Sequence, residues 1–190
     1  MCKQLKYNGL TDMTVRQKIH WVHSFVTLLL AGMLFPTATF GQTVNFPTSW
    51  VGKWSGKMLI YSQGATKDSL DVEMTINPAE EPNSWRWKTV YLSPKNPITK
   101  DYTLKTADAT KGHYWLDEGD GIVLDAYLLG NKLFHLFGVS GLYLTATYEL
   151  QGETLVFEVT SGKWLNSTGN DVTNYSVLNL QRSRLRRASM

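Results

Sequence analysis

From Trp50 onward the chain alternates apolar and polar side chains. Trp50, Gly52, Trp54, Gly56, Met58 and Ile60 share one parity, and Lys53, Ser55 and Lys57 share the other. A period of two marks a strand with one face buried, here over residues 50–61. Leu70, Val72, Met74 and Ile76 then alternate with Asp71, Glu73, Thr75 and Asn77. Trp85 to Tyr91 interleaves aromatic with basic residues. Seven further strands are predicted over 99–106, 113–116, 122–129, 133–139, 142–150, 155–159 and 175–183. Turn chemistry separates them: prolines at Pro78 and Pro82 and from Pro94 to Pro97, Gly119 and Gly121, the Gly130-Asn131 pair, Ser140-Gly141 and Gln151-Gly152. A longer polar loop is expected over 161–174.

Strands every ten or so residues, joined by short hairpins and free of amphipathic helices, predict an all-β fold. It is a single antiparallel up-and-down β-barrel of about 8–10 strands. Closure into a barrel leaves no exposed sheet edge, and no long Greek-key crossover is evident.

The N-terminus follows a different pattern. Arg16, Lys18 and His20 precede an apolar run from Trp21 to Phe35, which Pro36 ends. Thr37, Ala38, Thr39 and Gly41 supply small residues after it. This succession describes a helical secretory signal peptide over residues 1–41, with cleavage after Gly41 and Ala38 as the second choice. The run is short for a membrane span, so no stable membrane insertion is expected after cleavage. The organisation read from the sequence is a leader at 1–41, a lipocalin-like barrel at 42–183 and a basic tail at 184–190, in a secreted or periplasmic protein.

Cleavage changes the charge picture. The whole chain holds 19 Lys and Arg against 16 Asp and Glu. Removing Lys3, Lys6, Arg16, Lys18 and Asp12 leaves fifteen of each. A near-neutral body, with basic residues gathered only at Arg182, Arg184, Arg186 and Arg187, does not suit nucleic acid. The lone cysteine, Cys2, leaves with the leader. Disulfides, thiol catalysis and Cys-ligated metal are then excluded, and the domain relies on its apolar core.

Gly52-Lys53-Trp54, the antiparallel meander and a basic residue on the last strand together resemble the calycin group, which includes lipocalins, fatty-acid-binding proteins and nitrobindin-like barrels. In that group the first-strand tryptophan packs against a last-strand arginine across the closed end. The resemblance implies that Gly52, Trp54 and Arg182 close the barrel here. The strand count is nearer the ten-stranded members. Lipocalin-type second and third motifs are missing, as is a last-strand histidine that would match a nitrobindin haem ligand.

Chemistry-bearing residues are sparse. His113 and His135 are the two histidines outside the leader, and neither has metal-ligand spacing. Asp117, Glu118, Asp120 and Asp125 read as turn residues rather than a calcium loop. No nucleophile elbow occurs, no catalytic residue or metal site is assigned, and no cofactor is implied. The aromatic and thioether side chains carry more: Met58, Met74, Trp85, Trp87, Tyr102 and Tyr148 are the candidate ligand-binding residues, presenting apolar surface with polar tips. The expected partner is a small apolar or amphipathic molecule. A barrel enzyme acting on a lipid or oxidised small molecule, and a cell-envelope interaction module with a filled core, are the alternatives.

Overall fold

The structure, a computed structural model, describes residues 45–169 and 172–188. The expected signal peptide lies outside the described residues.

Ten strands form one closed antiparallel barrel: β1 (Gly52–Ser62), β2 (Ala65–Pro78), β3 (Ser84–Leu92), β4 (Ile98–Asp108), β5 (His113–Asp117), β6 (Val123–Leu129), β7 (Lys132–Val139), β8 (Leu142–Gln151), β9 (Thr154–Gly169) and β10 (Val172–Arg187). Each strand pairs with its chain neighbours, and β1 pairs with β10 to close the ring. Helical turns among the described residues are limited to two 3-10 turns, Thr48–Trp50 and Ala109–Lys111.

The alternation read from the sequence sets the inward face. Trp54 and Met58 of β1, Val72, Met74 and Ile76 of β2, and Trp87 of β3 are buried, while Lys53, Lys57, Asp71 and Glu73 are exposed. Leu104, Tyr114, Leu133, Tyr148, Leu155, Phe157 and Leu185 continue the same core around the ring. Trp50, expected in the first strand, instead ends the 3-10 turn before it. There its ring meets Phe46 edge-on at 4.7 Å and Trp87 at 6.0 Å. The lead-in segment therefore folds over one end of the barrel and stops it.

Two segments differ from the expected boundaries. Residues 161–174, expected as a loop, largely continue β9 and β10 as one long hairpin, with Trp164 opposite Tyr175 and Lys163 opposite Ser176. β8 pairs with β9 only as far as Lys163, and β1 with β10 only from Asn179. The hairpin thus projects past its neighbours, held by its own ladder. The second difference is at the C-terminus. Residues 184–187, expected in a basic tail, belong to β10, and Leu185 is wholly buried between outward Arg184 and Arg186.

Candidate functional site

The stopped end is built around Trp54. Its indole Nε1 donates to the Trp50 carbonyl at 2.9 Å, and the Arg187 guanidinium lies 4.2 Å from its ring centroid. Arg187 also donates from Nη1 to Val51 O at 2.5 Å and from Nη2 to Ser49 O at 3.0 Å. One arginine therefore covers the tryptophan and holds the lead-in turn. Gly52 is needed beneath it. Its φ of +143° suits glycine, and a Cβ there would collide with the Arg187 guanidinium.

This corrects the pairing of Trp54 with Arg182. Arg182 lies opposite Leu59, well along β1, with its side chain outside the barrel at 3.3 Å from Glu158. Two facts of strand geometry separate the arginines. β10 runs four residues beyond its expected end, and Arg182 has outward parity whereas Arg187 shares the inward parity of Ser183 and Leu185.

Toward the opposite end the barrel is hollow. A cavity of about 100 Å³ is lined by Tyr91, Tyr102, Leu116, Glu118, Leu124, His135, Phe137, Ala146, Tyr148, Phe157 and Val159. Of the candidate ligand-binding residues, Tyr102 and Tyr148 line it. Met58, Met74 and Trp87 are packed into the filled half of the core, and Trp85 stands half-buried on β3 opposite Leu104; none of these four borders the cavity. The division follows from the plug. Phe46 and Trp50 fill the space that the inward side chains near Trp87 would otherwise surround.

His135 is the chemically unusual group. It is 2% exposed, and neither ring nitrogen has a hydrogen-bond partner in the protein. β7 carries it inward between Leu133 and Phe137, opposite Ala146 of β8. Tyr148 meets it edge-on, with centroids 6.0 Å apart, and is itself stacked on Phe157 at 4.5 Å. Burial lowers the imidazole pKa from 6.5 to about 4, so the ring is neutral at pH 7 with one donor and one acceptor nitrogen.

The phenols are neutral too. Burial pushes Tyr91 up to about 12. It raises Tyr102 further, aided by the nearby Glu118 carboxylate, and raises Tyr148 well above its ordinary value. Among the described residues Glu118 is the only charged side chain in the cavity lining. Lys100 shares the face of Tyr102 two residues nearer the mouth, where it is exposed, its ammonium 5.9 Å from the Tyr102 ring centroid.

The other sequence candidates have local roles. Asp117 accepts from the Gly119 N–H at 2.9 Å and Asp120 from the Ile122 N–H at 3.2 Å, which is turn chemistry. His113 sits 2.6 Å from Asp125 and stacks on Tyr127 at 4.7 Å, on the outer surface. A second, apolar depression of about 500 Å³ lies on the outside of the barrel, where Leu136, Tyr143, Tyr175 and Val177 border it.

The sequence sets His135 as a metal or haem ligand against a partly buried structural residue, and Glu118 as a calcium ligand against a turn residue; it does not set either as a cavity-lining group. The signal for His135 was its place at an inward position of a strand otherwise Leu and Phe. Glu118 gave a weaker signal, the inward parity it shares with Leu116 two residues earlier.

No family model and no curated protein matches the sequence. Solved structures do match in shape. An S-type phycobiliprotein lyase from Guillardia theta is 10% identical over 74% of this chain and 89% of its own, with a TM-score of 0.53. A protein of unknown function from the DUF3598 family of Nostoc punctiforme is 13% identical over 74% of this chain and 48% of its own, with a TM-score of 0.52. At these identities the likeness is one of fold. The chain is a calycin-like, ten-stranded, antiparallel up-and-down β-barrel.

Proposed function

We propose that the barrel is a container for a small amphipathic molecule, whose polar end sits beside His135 and whose apolar part runs toward the mouth past Leu124, Phe137 and Val159. The observation that carries this reading is the buried imidazole with two unpartnered nitrogens facing a cavity. An unsatisfied buried polar group costs about 1–3 kcal/mol, and of the described side chains with buried unpartnered nitrogens, Trp50, Trp87 and His135, it is His135 that lines the cavity, where a ligand can meet it. Tyr91, Tyr102 and Tyr148 add hydroxyls around the same space.

The size of the cavity sets the manner of binding. Ligand pockets commonly enclose about 300–1,000 Å³. A space of about 100 Å³ takes a head group and its first carbons, with the remainder lying in the open end. Export belongs to the same reading. It rests on the charged, apolar and small-residue succession from Arg16 to Gly41, and a mature N-terminus near Gln42 on protein recovered outside the cytoplasm would support it.

Calorimetric titration of the full chain with octan-1-ol tests the container, with tryptophan emission followed in parallel because Trp87 touches Tyr148 at 5.2 Å. Burial of about five carbons at roughly 0.8 kcal/mol each corresponds to a dissociation constant on the order of a millimolar. The expected result is one-to-one saturation that Ala146→Phe, which fills the cavity, abolishes while circular dichroism stays unchanged. A chain that binds neither octan-1-ol nor longer alcohols has a closed core, and the interaction-module alternative replaces the container.

A further inference from the structure

The charge and hydrogen-bonding character of the cavity narrow the ligand class. This step rests on the container reading above. We infer that the site selects a neutral head group able both to donate and to accept a hydrogen bond, such as a hydroxyl or a carboxamide, and discriminates against the carboxylate of the same chain.

His135 sets the hydrogen-bonding demand of the cavity. A neutral imidazole offers one N–H donor and one bare acceptor nitrogen, and here both lack partners. A hydroxyl or amide satisfies either nitrogen, and two such groups, or one amide reaching both sides, satisfy both. A carboxylate only accepts. It leaves the bare nitrogen unpaired whichever tautomer is present.

Charge points the same way. A carboxylate placed beside His135 would enter a lining with no cation, and the charge already there is the like-signed Glu118. Burying an anion without a counter-charge is among the costliest operations in a protein interior. The imidazole does not supply the missing charge, because its burial holds it neutral down to about pH 4. No arginine among the described residues lines this cavity. Arg182 pairs with Glu158 outside the barrel, and Arg187 is committed to Trp54 and the lead-in turn at the far end. Lys100 sits at the exposed mouth beyond Tyr102 and does not line the cavity, so an acid could reach it only with its head group at the rim and not beside His135.

The experiment compares octan-1-ol, octanamide and octanoate on the full chain at pH 7.5 by calorimetry. The alcohol and the amide are expected to bind at least tenfold more tightly than octanoate. His135→Leu should remove about tenfold from the alcohol and the amide and leave octanoate unchanged, closing the gap. His135→Gln, which keeps a donor and an acceptor, should retain most of the preference. Octanoate binding as tightly as octan-1-ol in the wild-type chain overturns this inference and leaves the container standing. So does a preference for the alcohol that His135→Leu does not reduce. If none of the three probes binds, the container reading itself fails and this inference falls with it. Circular dichroism and thermal melts of both variants show whether each is folded before its affinities are compared.

Discussion

Arg187 lies across the face of Trp54, guanidinium to ring centroid 4.2 Å, while its two terminal nitrogens hold the carbonyls of Val51 and Ser49. The last residue of the last strand is thereby tied to the segment that precedes the first. In an up-and-down barrel this is the place where closure is decided, because β1 and β10 are the farthest-separated strands in sequence and must still pair.

Replacing Arg187 is expected to destabilise the barrel by about 2 kcal/mol. That sums a cation–π contact of roughly 0.5–2 kcal/mol with hydrogen bonds to a charged donor, discounted because the guanidinium is partly in water. Arg182→Ala should change stability by less than about 1 kcal/mol, since its partner Glu158 is met at the surface. Arg187→Lys should recover little, because a lysine has no planar fork to span two carbonyls and a ring. Chemical denaturation of the three variants checks the ordering. Equal losses from the two alanine substitutions would remove Arg187 from the closure.

Trp54 separates the ring from its hydrogen bond. Trp54→Ala deletes a ring that is 1% exposed and should cost about 3–5 kcal/mol. Trp54→Phe keeps an aromatic face for Arg187 but loses the bond from Nε1 to the Trp50 carbonyl, for an expected loss of about 1–2 kcal/mol. Melting temperatures that fall equally for both would assign the whole effect to the hydrogen bond.

Much of this architecture is legible in the chain because a strand writes its orientation into every second residue. Val72, Met74 and Ile76 could face only one way, and the hairpin turns left the strands no partner but the next. Where the reading stopped short, the cause was local. Arg184 to Arg187 looked like a solvated tail because three of four residues are charged, yet Leu185 between them kept the inward parity of Ser183. Residues 161–174 lacked apolar alternation because their pairing is held by a two-strand ladder outside the barrel, with Trp164 and Tyr175 exposed. The site was less legible still. Inward parity identified Met58, Met74 and Trp87, but whether inward side chains fill the barrel or border a cavity depends on how far the Phe46 and Trp50 plug reaches. The unpaired state of His135 depends on strands from across the ring. No spacing rule encodes it.

The projecting hairpin depends on a close backbone approach at Gly162. A Cβ there would collide with the Ser176 carbonyl, whereas one at Gly138 meets its nearest atom at an ordinary 3.6 Å. Gly162→Ala is therefore expected to cost about 1–3 kcal/mol, as overpacking does, and to speed hydrogen exchange at Trp164 and Tyr175. Gly138→Ala should be within about 0.5 kcal/mol of wild type. If the two substitutions prove equally mild, the strands at Gly162 are free to move apart and the hairpin is not pinned there.

His135 should also make the barrel acid-sensitive in a defined window. Its pKa is about 4 in the folded chain against an ordinary 6.5. Above pH 6.5 both states hold a neutral ring, so stability does not depend on this group. Between 6.5 and 4 the unfolded chain takes up a proton that the folded barrel refuses, so stability falls as the pH is lowered. Below about 4 both states are protonated and the loss levels off. The shift corresponds to about 3 kcal/mol in total. His135→Leu, close in volume and apolar, should remove that component of the pH dependence. It should also raise stability at pH 7 by roughly 1–2 kcal/mol, because the two unpaired imidazole nitrogens are then gone. Denaturation curves of the two proteins at pH 7.5, 5.5 and 4 should therefore diverge as the pH falls, the variant staying nearer its neutral-pH stability. Parallel curves would mean that the imidazole is protonated or hydrogen-bonded inside the barrel, which would also remove the observation on which the container rests. A variant more stable than wild type yet weaker in octan-1-ol binding would show a polar group kept in the core at a cost to the fold.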